Sequence, residues 1–145
     1  MIVWRAEMSV GVGILDDDHK ALFAIINEFD TCQTRQCAET AARKLFLYTR
    51  SHFRREEAIQ EQFRYPLRHE QKNDHRQIID QLTAVIRGAF VQGGRADAEV
   101  ISDISALLRR WVIGHVLRED RKMRQFFASK QRDQPQFVIR RGLSA

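Results

Sequence analysis

Apolar residues recur at intervals of three and four along most of this chain, which is the period of an amphipathic α-helix. The pattern predicts four helices: one after Asp16–Asp18, a second from about Cys37 to Phe63, a third after Pro66 and a fourth from about Ala96 to His115. A short fifth helix is predicted over about Arg118–Ser129. No useful stretch alternates in the manner of a β-strand. We therefore predict an all-α fold, an antiparallel up-down four-helix bundle with an extended N-terminal arm and a short C-terminal helix.

Residues that break or begin helices separate these segments. Asp16–Asp18 offer capping and first-turn chemistry for the first helix. Tyr65-Pro66 separates the second helix from the third, and Gly93-Gly94 closes the third. A chain of 145 residues is the size of one domain. We assign residues 1–129 to the bundle and residues 130–145 to a basic C-terminal tail.

The composition narrows the range of partners. A net charge of +5 permits acidic partners, but the basic residues are dispersed and no DNA-reading motif is present, so nucleic-acid binding is not expected. The basic tail is one place where a protein partner could bind.

The sequence predicts no membrane association and no signal peptide, and we therefore expect a cytoplasmic protein. Cys32 and Cys37 are too few for a disulfide framework, and we expect free thiols at a helix corner.

Ionisable side chains interrupt the apolar faces of the predicted helices. His52 and Glu56 are four residues apart, so they share the face that should point into the core. A buried carboxylate is costly unless a positive group pairs with it. Glu57 lies about 100° from Glu56 around the helix and is expected to face solvent. The same feature recurs on the other predicted helices or at their ends, at His19, His75, His115 and Asp120.

Two interpretations of this set are open. Each histidine taken alone is more simply a satisfied core or surface residue. Four histidines and two carboxylates on separate helices instead favour a metal site inside the bundle. Imidazole nitrogen with bridging carboxylate suits iron, manganese or zinc better than calcium or magnesium.

The order and spacing of these residues form a series of motifs. In chain order they are Trp4-x4-Ser9-Val10-Gly11, Asp17-Asp18-His19-Lys20-x-Leu22-Phe23, His52-Phe53-Arg54-Arg55-Glu56-Glu57, Tyr65-Pro66, His75, and Trp111-x3-His115-x4-Asp120. Together they resemble the bacterial hemerythrins, which are non-haem di-iron oxygen-binding four-helix bundles. The resemblance extends from Trp4 to about Phe127.

The resemblance implies two iron ions, bridged by carboxylates and by an oxo or hydroxo group. His19 and His52 would hold the first iron, which keeps a vacant position for oxygen. His75 and His115 would hold the second iron. Glu56 and Asp120 would bridge the pair.

One position departs from the family pattern. The family has a further histidine on the second iron, four residues before His75, and this chain has Gln71 there. A glutamine can ligate only weakly through its amide oxygen, or it can hydrogen-bond a water that fills the position. His69 is nearby, but it lies about 120° from the face of His75 and would serve only if the helix start were distorted.

We expect a protein that binds O2 or a related diatomic or peroxide ligand, in oxygen carriage, storage or sensing, rather than an enzyme. The first alternative is a di-iron oxidoreductase that acts on peroxide, O2 or NO, since loss of a strong ligand opens the second iron. The second alternative is an interaction module that responds to redox state or metal.

Overall fold

The computed structural model of the protein describes residues 1–91 and 94–133, with the side chains of residues 131–133 excepted. Six α-helices occur in this part of the chain: α1 Gly13–Asp30, α2 Arg35–Gln62, α3 Arg68–Phe90, α4 Asp97–Leu108, α5 Gly114–Arg118 and α6 Met123–Asp133. A π-helical segment, Arg109–Ile113, joins α4 to α5, and 3-10 turns occupy Ala6–Met8 and Asp120–Lys122. Helix α1 packs against α2 and α4, and α2 packs against α3. The predicted all-α bundle is confirmed.

Helix α1 begins three residues before the predicted aspartate cap. Its N-cap is Val12, which gives no side-chain hydrogen bond. Asp16 instead accepts hydrogen bonds from the Ser9 hydroxyl at 2.6 Å and from the Val10 backbone N–H at 2.9 Å. The first-turn carboxylate therefore fixes the N-terminal arm to α1 rather than capping the helix.

The break between α2 and α3 lies where the sequence places it. Arg64 has a left-handed φ of 53°, which ends α2, and the backbone N–H of Arg68 donates to the carbonyl of Tyr65. The predicted break at Gly93-Gly94 lies partly outside the described residues, since only Gly94 is described. Residues 134–145, most of the predicted tail, also lie outside them, and α6 continues past the predicted boundary at residue 129 to Asp133.

The fourth arm of the bundle contains a π-helical segment that the sequence analysis did not predict. Its buried apolar residues are spaced by four throughout: Val100, Ile104, Leu108, Val112 and Val116. In a regular α-helix a spacing of four drifts by about 40° each time, or about 160° over this length. The wider π turn advances fewer degrees per residue and offsets much of that drift. This keeps the later residues, and with them His115, on the buried side.

The expectation of free thiols is wrong in this structure. Cys32 and Cys37 form a disulfide, with their Cα atoms 5.5 Å apart. Cys32 lies two residues after the end of α1. Cys37 lies in the first turn of α2, where the Thr34 side chain accepts a hydrogen bond from the backbone N–H of Cys37. The short connection between the helices holds the two side chains within bonding distance, which residue counting could not reveal.

Two apolar clusters form the interior. The larger one, cluster 1, fills the bundle between α1, α2, α3 and α4 and includes Leu22, Phe53 and Ile78. Cluster 2 closes one end of the bundle with Val10, Val12, Leu15, Tyr65, Met123 and Phe127. Along α1, Leu15 belongs to cluster 2, Leu22 belongs to cluster 1, and His19 lies between them. None of the helices in the described ranges is long and apolar enough to cross a bilayer.

Reduction of the disulfide should lower the stability of the protein. A cross-link that closes a loop of about six residues contributes roughly 2 kcal/mol by restricting the unfolded chain. We expect Cys32→Ser/Cys37→Ser to unfold at a lower urea concentration than the oxidised wild type, with an unchanged slope. Fully reduced wild type is the matched control, and it should behave like the double variant. Equal midpoints for oxidised and reduced wild type would show that the bond contributes nothing to stability.

Candidate metal centre

The structure brings four histidines and two carboxylates together between the two apolar clusters. They come from separate parts of the chain: His19 from α1, His52 and Glu56 from α2, His75 from α3, His115 from α5 and Asp120 from the 3-10 turn that follows. All six side chains are buried, and the most exposed of them, His115, is only 6% accessible. The separate helices thus present their ionisable residues to one interior point.

The six residues divide into two groups that could each hold a cation. The first group is His19, His52, Glu56 and Asp120, and the second is Glu56, His75, His115 and Asp120. In each group the nearest ligand atoms of all members lie within 4.8 Å of one another. Glu56 and Asp120 belong to both groups, so each carboxylate faces two histidine pairs.

The imidazole nitrogens of each pair face one another closely. The Nε2 atoms of His19 and His52 are 3.2 Å apart. Those of His75 and His115 are 3.1 Å apart. Ligand atoms about 2.1 Å from one octahedral ion lie about 3 Å from each other, so these separations are those of donors converging on one ion.

The carboxylates contact both pairs. Asp120 lies 3.1 Å from Nε2 of His19 through one oxygen and 2.9 Å from Nε2 of His115 through the other. Glu56 Oε2 lies 3.1 Å from Nε2 of His75 and 3.5 Å from Nε2 of His52.

The buried polar atoms at this point fit metal ions better than they fit each other. Despite these short contacts, none of the four carboxylate oxygens of Glu56 and Asp120 makes a hydrogen bond of acceptable geometry in the part of the chain that is described. Orphaned buried carboxylate oxygens are costly. A pair of cations would satisfy them and would also explain why the imidazole nitrogens point at each other.

The charges of the two carboxylates differ in the protein without metal. Burial and the neighbouring Asp120 raise the pKa of Glu56 well above its usual range. Burial acts in the same direction on Asp120, but His115 and His19 outweigh it and hold the pKa of that carboxyl well below its usual range. Two like charges so close cannot both be stable without a counter-charge.

Asp18 orients His52 from outside the site. His52 donates from Nδ1 to Asp18 at 3.0 Å, and Asp18 also accepts from Arg55 at 2.8 Å and from the Tyr48 hydroxyl at 3.0 Å. Burial would raise the pKa of Asp18, but the bonds from His52 and Arg55 hold it below its usual range. Burial lowers the pKa of His52 to about 4. His52 is therefore neutral, with its proton on Nδ1 and the Nε2 lone pair directed into the site.

Glu57 performs the same task on the opposite side, and the expectation that it faces solvent is wrong. His75 donates from Nδ1 to Glu57 at 3.0 Å, which leaves its Nε2 free to ligate. The Glu57 side chain is only 29% exposed. Glu57 reaches His75 because α3 packs against the side of α2 that carries Glu57. The periodicity of α2 alone does not show that α3 lies there.

An aromatic side chain supports the second histidine pair. The ring of Phe53 stacks on His75 with centroids 3.8 Å apart and an interplanar angle of 7°, and it meets His115 edge-on at 5.7 Å. Phe53 is part of cluster 1, which excludes water from that side of the site. Phe53 therefore forms an apolar wall beside the second histidine pair.

Gln71 lies one turn before His75 on α3 and is 2% exposed. Neither its amide oxygen nor its amide nitrogen has a hydrogen-bond partner among the described residues. His69 is exposed and lines a surface cleft instead, because the start of α3 is regular. Gln71, and not His69, therefore lies on the buried side of α3, together with His75.

Comparison with known proteins gives a consistent result. The family model for the Hemerythrin HHE cation binding domain matches residues 10–127. A bacteriohemerythrin of Methylococcus capsulatus is 28% identical over 125 residues, which is 83% of this chain and 92% of that protein. Bacteriohemerythrins of Pseudomonas aeruginosa and Stenotrophomonas maltophilia are 29% and 25% identical, covering 82% and 83% of this chain and 76% and 77% of theirs.

The matched region contains α1 to α5 and all six residues of the two cation groups, and it ends inside α6. A match over most of the chain, together with a buried site of the expected composition, determines the family. The chain belongs to the hemerythrin HHE cation-binding domain family.

Proposed function

We propose that this protein holds two iron ions and binds O2 or a related small ligand at that pair. The observation that carries the proposal is the pair of four-residue groups that share Glu56 and Asp120. His19 and His52 would hold one iron and His75 and His115 the other, with both carboxylates bridging. The family and the name of its relatives favour iron over manganese and zinc, which the same donors would also suit.

The surrounding residues have defined tasks in this proposal. Asp18 and Glu57 accept the Nδ1 protons of His52 and His75 and keep each ring turned with Nε2 inward. Phe53 and cluster 1 keep bulk water away from the ligands. The bound irons would supply electrons to the small ligand, and the protein's share is to hold the irons and limit access to them.

A second function, reduction of peroxide, O2 or NO, is favoured by Gln71. The amide occupies the position of a histidine in the family pattern, and it is a weak, neutral donor. The second iron would then be more accessible than a fully histidine-ligated one, which suits turnover more than stable carriage. Metal analysis with optical spectra of the reduced protein, before and after exposure to oxygen, separates these functions. A spectrum that reverses when oxygen is removed supports carriage. Consumption of peroxide, O2 or NO in excess of the iron present, with an added chemical reductant, supports turnover.

A cytoplasmic location stays a prediction. In a reducing cytoplasm, Cys32 and Cys37 would be held as thiols rather than as the disulfide of this structure.

We predict that the purified protein contains about two irons per chain and that Glu56→Ala loses most of them, because one side chain serves both ions. Glu61→Ala is the matched control, since Glu61 is on the same helix and its side chain is 76% exposed. Metal content is measured by mass spectrometry and folding by circular dichroism. One zinc per chain in wild type made with ample iron, or full iron retention in a folded Glu56→Ala protein, would contradict the assignment.

Removal of metal should lower the melting temperature. Buried polar groups that lose their partners cost roughly 1–3 kcal/mol each, and about 1 kcal/mol shifts the melting temperature of a chain of this size by about 2–4 °C. We expect a decrease of several degrees in calorimetry after chelation. Restoration of the iron should restore the melting temperature. Identical melting curves with and without iron would show that the site contributes nothing to the fold.

Gln71→His should hold iron more tightly, because a histidine four residues before His75 can reach the same metal. The expected result is slower loss of iron to a chelator than in wild type. Gln81→His is the control, because it adds an exposed histidine elsewhere on α3. Equal rates in wild type and Gln71→His would indicate that Gln71 already ligates as well as a histidine.

A further inference from the structure

A group of buried polar side chains lies on the α2–α3 side of the site, and Gln71 is its only member with a role above. It consists of Gln60, Tyr65 and Gln71, and we refer to it as the polar layer. Gln60 is fully buried, and Tyr65 and Gln71 are each 2% exposed. Three neutral polar groups buried together require partners.

The polar layer has more hydrogen-bonding atoms than the protein satisfies. The Tyr65 hydroxyl, the Gln60 carbonyl oxygen and both amide atoms of Gln71 are without partners in the described part of the chain. Among the described residues, these side-chain groups make one hydrogen bond. The Gln60 amide nitrogen donates to Met123 Sδ at 3.3 Å, and sulfur is a weak acceptor. Such a set of atoms suits an exogenous molecule that can bond to several of them at once.

The position of the polar layer follows from the helices. Gln60 is one turn after Glu56 on α2, and Gln71 is one turn before His75 on α3. The two helices are joined by the short turn that carries Tyr65, so these two residues lie on the same side of the site. Tyr65 and Met123 belong to cluster 2, which closes that end of the bundle.

The Tyr65 hydroxyl is suited to donating a hydrogen bond there. Burial, together with the charges of Asp120 and Glu56, raises its pKa to about 12. The phenol therefore keeps its proton at neutral pH. The influence of both bridging carboxylates also agrees with a position near the site.

The mixture of donors and acceptors selects a class of ligand. Tyr65 and the Gln71 amide nitrogen can donate, whereas the carbonyl oxygens of Gln60 and Gln71 can only accept. O2 and NO carry no hydrogen and cannot satisfy those carbonyl oxygens. Hydrogen peroxide and water both donate and accept, and both are small enough for a buried position.

We propose that the polar layer binds hydrogen peroxide, or water in its absence, at a coordination position that Gln71 leaves open beside His75 and His115. This inference rests on the proposed function, because it requires an iron at that histidine pair. It adds a second ligand position, distinct from the vacant position implied beside His19 and His52.

A surface cleft lies next to the polar layer. A cavity of about 350 Å³ between α2 and the start of α3 includes Gln60 in its lining, together with Glu57, the partner of His75. Its remaining lining residues are mostly polar or charged: Arg54, Ala58, Glu61, Arg68, His69 and Lys72. Gln60 is itself fully buried and closes the cleft on the inside, so a small polar solute would have to pass this side chain to reach the layer.

The first experiment counts ligand positions with azide. Protein loaded with two irons and oxidised is titrated with azide and followed by its absorption, with iron measured on the same samples. Wild type and the Gln81→His control should bind two azides per chain, and Gln71→His only one. If wild type holds two irons but binds a single azide, the second ligand position is overturned and the proposed function still stands. If wild type holds fewer than two irons, both the proposed function and this inference lose their basis.

The second experiment tests Tyr65 as a donor. Tyr65→Phe should weaken the second azide about tenfold, the value of one hydrogen bond to a charged ligand, and leave the first unchanged. The metal-free variant should melt no lower than metal-free wild type, because the hydroxyl has no hydrogen-bond partner among the described residues. A lower melting temperature with unchanged azide affinity would show that Tyr65 serves only the fold.

The third experiment tests the ligand class. Gln60→Leu removes an acceptor that azide cannot use, so it should slow the reaction of the reduced protein with hydrogen peroxide about tenfold without weakening azide. Equal effects on both probes, or none on peroxide, would overturn the assignment of a peroxide-like ligand. Iron content and melting temperature of the variant are measured alongside, so that loss of metal is recognised separately.

Discussion

The structure depends on the electrostatic balance of six ionisable side chains in its interior. Glu56 and Asp120 are fully buried, and four imidazoles face them, one each from α1, α2, α3 and α5. The separate groups have conflicting preferences without metal, since one carboxyl favours its proton and the other its charge. The proposed pair of cations would remove that conflict, and it requires the helices to be held in register to within the reach of a ligand bond. The apolar clusters on either side supply the packing that fixes this register.

The surrounding carboxylates show how the protein fixes the ring orientations. Asp18 and Glu57 come from different helices, yet each binds the Nδ1 of one histidine, one from each pair. Asp18 is itself fixed by Arg55 and Tyr48, so the His52 side of the site is supported by a charged network. On the opposite side Gln71 stands where the family pattern has a third histidine, so each cation group contains two histidines. The two halves of the site are therefore built alike, each with one histidine oriented by a carboxylate from outside the site.

The sequence predicted the fold because the fold follows helical periodicity, and the same periodicity singled out residues that the structure brings together in the interior. His52 and Glu56 were conspicuous as polar residues on an apolar face, and Tyr65-Pro66 marked a real break. Glu57 was assigned wrongly because its partner, His75, lies on another helix. The disulfide depends on how α1 meets α2, which no local pattern reports. The π-helical segment does have a signal in the sequence. Apolar residues recur at every fourth position from Val100 to Val116, and a regular α-helix cannot keep that spacing on one face.

That segment has a consequence for how the chain can vary. Arg109–Ile113 lies between the α4 contacts with the bundle and the two residues, His115 and Asp120, that complete both cation groups. If these five residues formed a regular α-helix instead, everything after them would turn by roughly 90°, because a π turn advances about 18° less per residue. That change would leave the apolar content of the chain unaltered and still turn His115 and Asp120 away from the other four residues. The backbone conformation of this segment is therefore under constraint as well as its side chains, and substitutions that favour a regular α-helix here should disturb both cation groups.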